Sequence, residues 1–193
     1  MNRRSFVALT GSPLLLGSCS RSREQNRLFA EHLDYLSRQI DQPATVVVQS
    51  TTFRLGDRLH DWKTSRDLQA WHPGLQGSTA SDLLAVGHVP RSVELRDSRL
   101  PRLTIRQVTE AQVRDLFDGP SLTLAWEQFR RAFPNAASLL TFSNVGFNAQ
   151  RNQAVFVLSA GCGGLCGSGQ LVIMRRQPTG TWRTESSTNL WRS

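Results

Sequence analysis

The C-terminal part of this 193-residue chain restricts the fold most, because no other stretch is so rich in β-forming residues. Residues 154–158 are an apolar run of alanine, valine, phenylalanine and leucine, and residues 171–174 have the same character. Both runs are short for a helix and are typical of buried strands. Residues 161–169, between them, contain five glycines and two cysteines. The pattern predicts an antiparallel hairpin inside a β-meander that spans residues 138–182.

The glycine-cysteine segment is predicted to form the tip of this hairpin. Its five glycines favour a reversal of the chain through positive φ angles, which residues with a Cβ rarely adopt. Cys162 and Cys166 flank a Gly-Gly-Leu loop, so we expect them to lie opposite each other at a separation that a disulfide can close. Leu165 is the only large apolar side chain of the segment. It either folds back onto a neighbouring loop or contacts a partner as an exposed anchor.

The rest of the chain has the periodicities of a mixed α and β protein. Apolar residues recur at helical spacing in residues 23–40, and residues 44–53 are rich in strand formers. Thr109 and Gln112 have the spacing of a capping box, which begins a helix. The other predicted elements are helices at 65–71 and 81–86, a strand at 103–108, and helices at 109–119 and 122–133.

These elements predict an α+β fold in which the N-terminal helix and two mid-chain helices pack on the C-terminal antiparallel β-meander. An alternative with the same elements is a cone-like fold of the nuclear-transport-factor or cystatin type, in which a helix lies on a curved sheet. The chain is long enough for one domain with a buried core.

The N-terminus has the features of an export signal. Arg3 and Arg4 precede an apolar segment, residues 6–16, which is far shorter than the ~20 residues that cross a bilayer. The arginine pair resembles a twin-arginine signal. The following Leu-Gly-Ser-Cys sequence, which ends at Cys19, resembles a bacterial lipobox and implies cleavage before Cys19 and lipidation of its thiol. The other interpretation is a plain secretory signal with an incidental cysteine.

This signal predicts the organisation and the location of the protein. We expect residues 1–18 to be an export signal peptide, residues 19–23 a lipidated tether and residues 24–193 a single α+β domain. A lipidated Cys19 would leave Cys162 and Cys166 as an even pair in an oxidising compartment, which favours a disulfide. The predicted location is the bacterial cell envelope, lipid-anchored and facing the periplasm. Ser20 after the cysteine, by resemblance to known sorting signals, favours the outer membrane.

The charge of the chain bears on its partners. The formal charge of +8 would drop by the two signal arginines to +6. Nucleic acid is not the expected partner, because the basic residues are scattered and Lys63 is the only lysine among 23 basic residues. A basic face toward anionic lipid or an anionic polymer is a smaller functional possibility. The partners that we expect are a membrane, through the lipid, and an envelope protein or anionic polymer.

The segment of residues 54–98 is where a hydrolytic or metal site would have to lie. Its histidines and aspartates are His60, His72, His88, Asp57, Asp61 and Asp67. A metal or hydrolytic site needs about three such groups to converge, and the spacing contains no H-E-x-x-H and no H-x-H. The chain also lacks a G-x-S-x-G motif. We therefore assign no catalytic, cofactor-binding or metal-binding residue.

A set of motifs in residues 126–193 resembles a group of uncharacterised bacterial secreted proteins and lipoproteins. The motifs are Trp126-x-x-Phe129-x-x-x-Phe133-Pro134, Phe142-Ser143-x-Val145-Gly146-Phe147-Asn148, Gln153-Ala154-Val155, Cys162-Gly163-x-x-Cys166-Gly167-x-Gly169 and Trp182. The resemblance implies an envelope protein but transfers no activity. We expect a cell-envelope lipoprotein that acts as a non-enzymatic binding module. The alternative is a periplasmic hydrolase with a site from the His60, His72 and His88 segment.

Overall fold

The computed structural model describes residues 14–57, 63–95 and 98–193. Within these ranges the chain forms five α-helices, a 3₁₀ turn (Leu55–Asp57) and eight strands of one sheet. In chain order they are α1 (Leu14–Gln39), β1 (Ala44–Gln49), α2 (Ser65–Trp71), α3 (Gly77–Val86), β2 (Ser98–Arg99), β3 (Leu103–Val108), α4 (Glu110–Phe117), α5 (Leu122–Ala132), β4 (Ala136–Phe142), β5 (Gly146–Phe147), β6 (Gln153–Gly163), β7 (Cys166–Arg176) and β8 (Trp182–Arg192).

The sheet has the order β2-β3-β1-β4-β6-β7-β8, and β5 pairs with β6. β1 is parallel to β3 and β4, and all other pairs are antiparallel. Parallel neighbours need crossover connections, which α2–α3 and α4–α5 supply. The predicted α+β fold is confirmed: the helices pack on a sheet whose C-terminal half is an antiparallel meander of β4, β6, β7 and β8.

The helices cover the two faces of the sheet, and α1 has one face to itself. Val46 and Val48 of β1 point toward α1, while Val47 between them points to the core under α4 and α5. On the α1 side, Phe29 stacks on Phe142 with ring centroids 4.2 Å apart. The α2–α3 pair packs on the same face as α4–α5, over the strand positions Val155, Val157, Leu171 and Ile173.

α1 contacts strands from both halves of the strand order, β3 and β8. Beside β3, Arg102 donates a hydrogen bond at 2.9 Å to the carbonyl of Ile40, the residue that follows α1. In β8, the backbone N–H of Trp182 donates to the carboxylate of Glu31.

The N-terminal part of α1 is held against the start of β6 by charged side chains. Arg21 pairs with Asp82 of α3 and donates to the carbonyl of Val145 at 3.0 Å. Arg151 pairs with Glu24, and its guanidinium lies 4.3 Å from the centre of the Phe147 ring. Residues 19–23, where the sequence predicts a tether, therefore lie within a helix that is bound to the domain from Arg21 onward.

Local signals fit the structure closely in the middle of the chain, and less closely at the hairpin tip. The capping box of Thr109 and Gln112 is present at the start of α4. At the tip, the loop has only two residues, Gly164 and Leu165, because β6 and β7 extend to Gly163 and Cys166. None of the five tip glycines has a positive φ, so the expected reversal through positive φ is wrong.

Candidate functional site

The predicted cysteine pair and Leu165 lie at the far end of β6 and β7. The sulfur atoms of Cys162 and Cys166 are at disulfide-bonding distance, and the Cα atoms are 5.1 Å apart. Leu165 is 90% exposed, the most of any large hydrophobic side chain in the described ranges. Leu122, at the start of α5, is also exposed and lies 3.9 Å from the position of a Cβ on Gly164. Two exposed leucines thus flank the disulfide.

A cleft of about 300 Å³ lies beside this tip, on the sheet face that carries α4 and α5. We call it the tip cleft. Its floor is two rows of cross-strand neighbours that run from β4 to the end of β8. The rows are Thr141, Ser159, Gly169 and Trp191, and Leu139, Gly161, Gly167 and Ser193. Phe117 and Leu122 lie at the side formed by α4 and α5.

The tip glycines make room for two indole rings. A Cβ on Gly161 would lie 3.1 Å from Cζ2 of Trp126, a contact tighter than most real ones. A Cβ on Gly169 would lie 2.6 Å from Cε2 of Trp191, which no real side chain tolerates, and one on Gly167 would lie 3.2 Å from Cζ3 of the same ring. The glycines are therefore needed for the close approach of side chains.

The side chains that line the tip cleft are uncharged. No aspartate, glutamate, histidine, lysine or arginine is among the described residues that line it. The hydroxyl groups of Thr141 and Ser159 face it and form no hydrogen bond with the described part of the chain. Arg130 of α5 lies at the rim, where it donates to the carbonyl of Cys162 at 3.5 Å. The described lining thus offers a ligand hydroxyl groups, glycine backbone and aromatic surface.

The residues of the Phe-Ser-x-Val-Gly-Phe-Asn motif have structural roles at the opposite end of the meander. Asn144 is buried and donates to the carbonyls of Val86 and Val89 at 2.6 and 2.7 Å. Its side-chain oxygen accepts a hydrogen bond from the hydroxyl of Thr52 at 2.9 Å. Gly146 lies so close to α3 that a Cβ would be 2.6 Å from the carbonyl oxygen of Thr79. The motif fixes α3 against the sheet.

Gln153, the first residue of β6, completes this attachment. Its side-chain oxygen accepts from the backbone N–H of Gln76 at 2.8 Å and from the hydroxyl of Thr79 at 2.9 Å. Its side-chain nitrogen donates to the carbonyl of Gly74 at 2.9 Å. Both polar atoms of a fully buried amide are thereby satisfied, as buried polar groups require. We call the end of the meander near residues 143–153 the base.

The histidines of the middle segment do not converge on one site among the described residues. His72, at the end of α2, is hydrogen-bonded through Nε2 to Oγ of Ser186 at 2.8 Å, and its buried Nδ1 has no partner. His88 is exposed after α3. His60 and Asp61 lie outside the described residues, as do Arg3 and Arg4 of the export signal. Within the described ranges no three potential ligand side chains come together to hold a metal ion.

The contact between His72 and Ser186 could not be read from the sequence. The register of β7 and β8 shifts between Ile173 and Met174, so the bulged β8 presents Ser186 to the face that α2 covers. A serine hydroxyl that is hydrogen-bonded to a histidine supplies two groups of a nucleophilic site, the nucleophile and its base. No carboxylate of the described chain contacts Nδ1 to orient the ring.

His32 of α1 has a clearly lowered pKa. It is fully buried between Tyr35 and Phe156, and its Nδ1 lies 2.9 Å from Oγ1 of Thr184. Burial lowers the pKa of His32 from 6.5 to about 4, because the charged form would lose its hydration. The ring is therefore neutral in the folded protein at physiological pH, and its contacts are those of a core residue.

Comparison of the chain with protein-family models, with curated proteins and with solved structures gives no significant match. In the part of the chain that the structure describes, no helix combines the length and the hydropathy that a bilayer span requires. Any function proposed for the chain therefore depends on the geometry of its described residues.

Proposed function

We propose that the protein is a lipid-anchored binding module of the bacterial cell envelope that performs no chemistry of its own and binds its partner at the hairpin tip. The observation that carries this proposal is Leu165, which is 90% exposed on a two-residue loop next to the open tip cleft. Water-exposed leucine at the end of a long hairpin gains free energy only when a partner covers it.

The tip is well suited to binding because its shape is restricted before a partner arrives. β6 and β7 each have 11 residues and pair along their length up to the Gly163–Cys166 position. The bond between Cys162 and Cys166 would restrain the last turn further. A contact surface that is already ordered loses less conformational entropy on binding.

A substitution at Leu165 tests the proposal. In the Cys19→Ala background, which removes the lipid anchor, the full-length chain should sediment with isolated cell envelopes, and Leu165→Asp should reduce this at least about tenfold, the loss expected for one apolar anchor. Val89→Asp is the matched control, because Val89 is 65% exposed and lies after α3, away from the tip. Equal binding with and without Leu165→Asp in this background would contradict the proposal.

The chemical class of the partner can be separated with salt. Binding to an anionic polymer should weaken as ionic strength rises, because charges on an exposed surface are screened. Binding through the leucines of the tip should change little. The outcome distinguishes the two expected partners, an envelope protein and an anionic polymer.

The lipid anchor is tested separately at Cys19. Cys19→Ala should move the protein from the detergent phase to the aqueous phase on detergent partitioning, since an acyl chain contributes about 0.8 kcal/mol per buried methylene. Replacing Arg3 and Arg4 by lysine should block export if the twin-arginine route is used. Retention of the Cys19→Ala variant in the detergent phase would contradict the anchor. Fractionation of the wild type distinguishes the outer membrane from the inner one.

The contact between His72 and Ser186 favours a second candidate, a periplasmic hydrolase. The hydroxyl of Ser186 lies 2.8 Å from the ring nitrogen of His72, which is hydrogen-bond reach for a nucleophile and its base. A fluorophosphonate probe should label Ser186 if this pair is active, and Ser186→Ala should remove the label. A protein that resists the probe excludes this candidate.

A further inference from the structure

The tip cleft has a lining that restricts the class of ligand. Its most prominent group is the indole of Trp191, which lies across the glycines at 167 and 169. Trp191 is partly exposed and lines the cleft. An aromatic ring supported from below on a sheet forms a flat platform, and its π face attracts the partly positive hydrogens of C–H groups.

The polar groups of the cleft are hydroxyls. Thr141 and Ser159 are directly opposite each other on β4 and β6, in the same cross-strand row as Trp191. Ser193 lines the cleft in the neighbouring row. None of the three hydroxyls bonds to the described part of the chain. Each can both donate and accept a hydrogen bond, so they match a ligand that carries hydroxyl or amide groups.

Other ligand classes fit this lining less well. The side chains of the described lining residues carry no charge, so a charged ligand inside the cleft would lose hydration without a countercharge, and the guanidinium of Arg130 lies only at the rim. A purely apolar ligand would cover the hydroxyls of Thr141 and Ser159 without offering a hydrogen bond, which is costly for each buried polar group.

We propose that the tip cleft binds a neutral sugar chain, with one pyranose ring stacked on Trp191 and its hydroxyl groups bonded to Thr141 and Ser159. A pyranose has an apolar C–H face and a rim of hydroxyls, the combination that the cleft offers. A volume of about 300 Å³ accommodates one or two such rings. This inference rests on the proposed function, since it names the ligand class of the same tip.

The test uses full-length protein in detergent and three soluble probes, which are an oligomer of four N-acetylglucosamine units, maltotetraose and amidated tetra-alanine. Titration by calorimetry should show saturable binding of at least one sugar and none of the peptide. Preference for the acetylated sugar or for the glucan identifies the source of the chain. Binding of tetra-alanine alone, or of no probe, would overturn the inference.

Two variants locate the binding in the tip cleft. Trp191→Ala should weaken sugar binding at least about tenfold, the loss expected for a stacked aromatic platform. Trp71→Ala is its control, because Trp71 is 53% exposed at the end of α2 and does not line the cleft. Unchanged sugar affinity in Trp191→Ala would overturn the inference.

A second variant keeps the indole but displaces it. Gly169→Ala places a Cβ 2.6 Å from Cε2 of Trp191, so the ring must move, and sugar binding should fall as in Trp191→Ala. Gly119→Ala is the control, since a Cβ there has no neighbour within 4 Å. If the wild type binds envelopes through Leu165 but binds no sugar, this inference fails and the proposed function stands. If envelope binding is also absent, both fail.

Discussion

At the base of the meander, the side-chain amides of Asn144 and Gln153 use both their oxygen and their nitrogen in hydrogen bonds, to Thr52 and to the α2–α3 region. At the tip, the hydroxyls of Thr141 and Ser159 face an open cleft and bond to nothing in the described chain. The same strands thus connect an end whose polar groups are satisfied internally with an end whose polar groups are available to a ligand. Whether the polar groups are satisfied by hydrogen bonds within the chain therefore distinguishes the scaffold from the binding surface.

Glycine is used at both ends for close approach, but against different neighbours. Gly146 lies against the backbone of α3, because a Cβ added at this position would be 2.7 Å from Cα of Leu83. Gly169 lies against the indole of Trp191. A helix backbone cannot move without breaking the packing of α3, whereas an indole at the end of a strand can swing away. Substitutions at the base should therefore cost stability, and those at the tip should cost binding.

The largest effect is expected for Gly146→Ala. The added methyl collides with two backbone segments of α3, so the variant should lose about 3 kcal/mol of the free energy of unfolding, the upper range for overpacking. Urea denaturation followed by circular dichroism measures it, with Gly119→Ala as the control. A loss no greater than that of the control would show that α3 is not held as tightly as the base contacts indicate.

Low pH should destabilise the core near the base of the meander through protonation of His32. Its pKa is about 4 in the folded chain and 6.5 when unfolded, so between these values the unfolded state binds more protons. The free energy of unfolding should therefore have its full value above about pH 6.5 and fall by about 3 kcal/mol as the pH drops to about 4. His32→Gln should lose this dependence, and His88→Gln, an exposed control, should keep it.

The disulfide should have an intermediate effect, confined to the tip. On the loop-entropy model a ring of about five residues stabilises the fold by about 2 kcal/mol. The double variant Cys162→Ser and Cys166→Ser should lose about that amount and still fold, which thermal denaturation with and without reductant checks. A mutant that fails to fold would place the tip within the cooperative core.

The smallest effect on stability is expected for Leu165→Asp, the variant that should weaken envelope binding through the tip. Because the side chain is exposed in the folded chain, its free energy of unfolding should change by no more than about 0.5 kcal/mol. Thermal denaturation beside Val89→Asp provides the measurement. A loss of several kcal/mol would mean that Leu165 packs against the domain.

Local signals in the sequence were sufficient for several elements. The helix at Ser65–Trp71 and the strand at Leu103–Val108 begin and end where they are predicted. Capping residues and short apolar runs act within a few residues, so they can be recognised without the rest of the fold. The parallel pairing of β1 with β3 and β4 depends on contacts between distant segments and was not predicted.

The tip cleft could not be predicted from the sequence for the same reason. Its floor joins Thr141, Ser159 and Trp191, which become neighbours only through the register of four strands. The five tip glycines predict backbone freedom, but three of them, Gly161, Gly167 and Gly169, leave space for indole rings. Gly167 and Gly169 alternate on one strand face, and glycine inside a strand often marks a place where another group approaches closely.

The unbroken course of α1 through position 19 has a consequence for reach. Arg21 and Glu24 are bound at the base, and β6 extends from there over 11 residues, about 33 Å, to the tip. If Cys19 carries a lipid, the continuous helix would connect the domain directly to the bilayer, without a flexible linker between them. The tip would then stay within a narrow range of heights above the bilayer, and it could bind only molecules that enter this range.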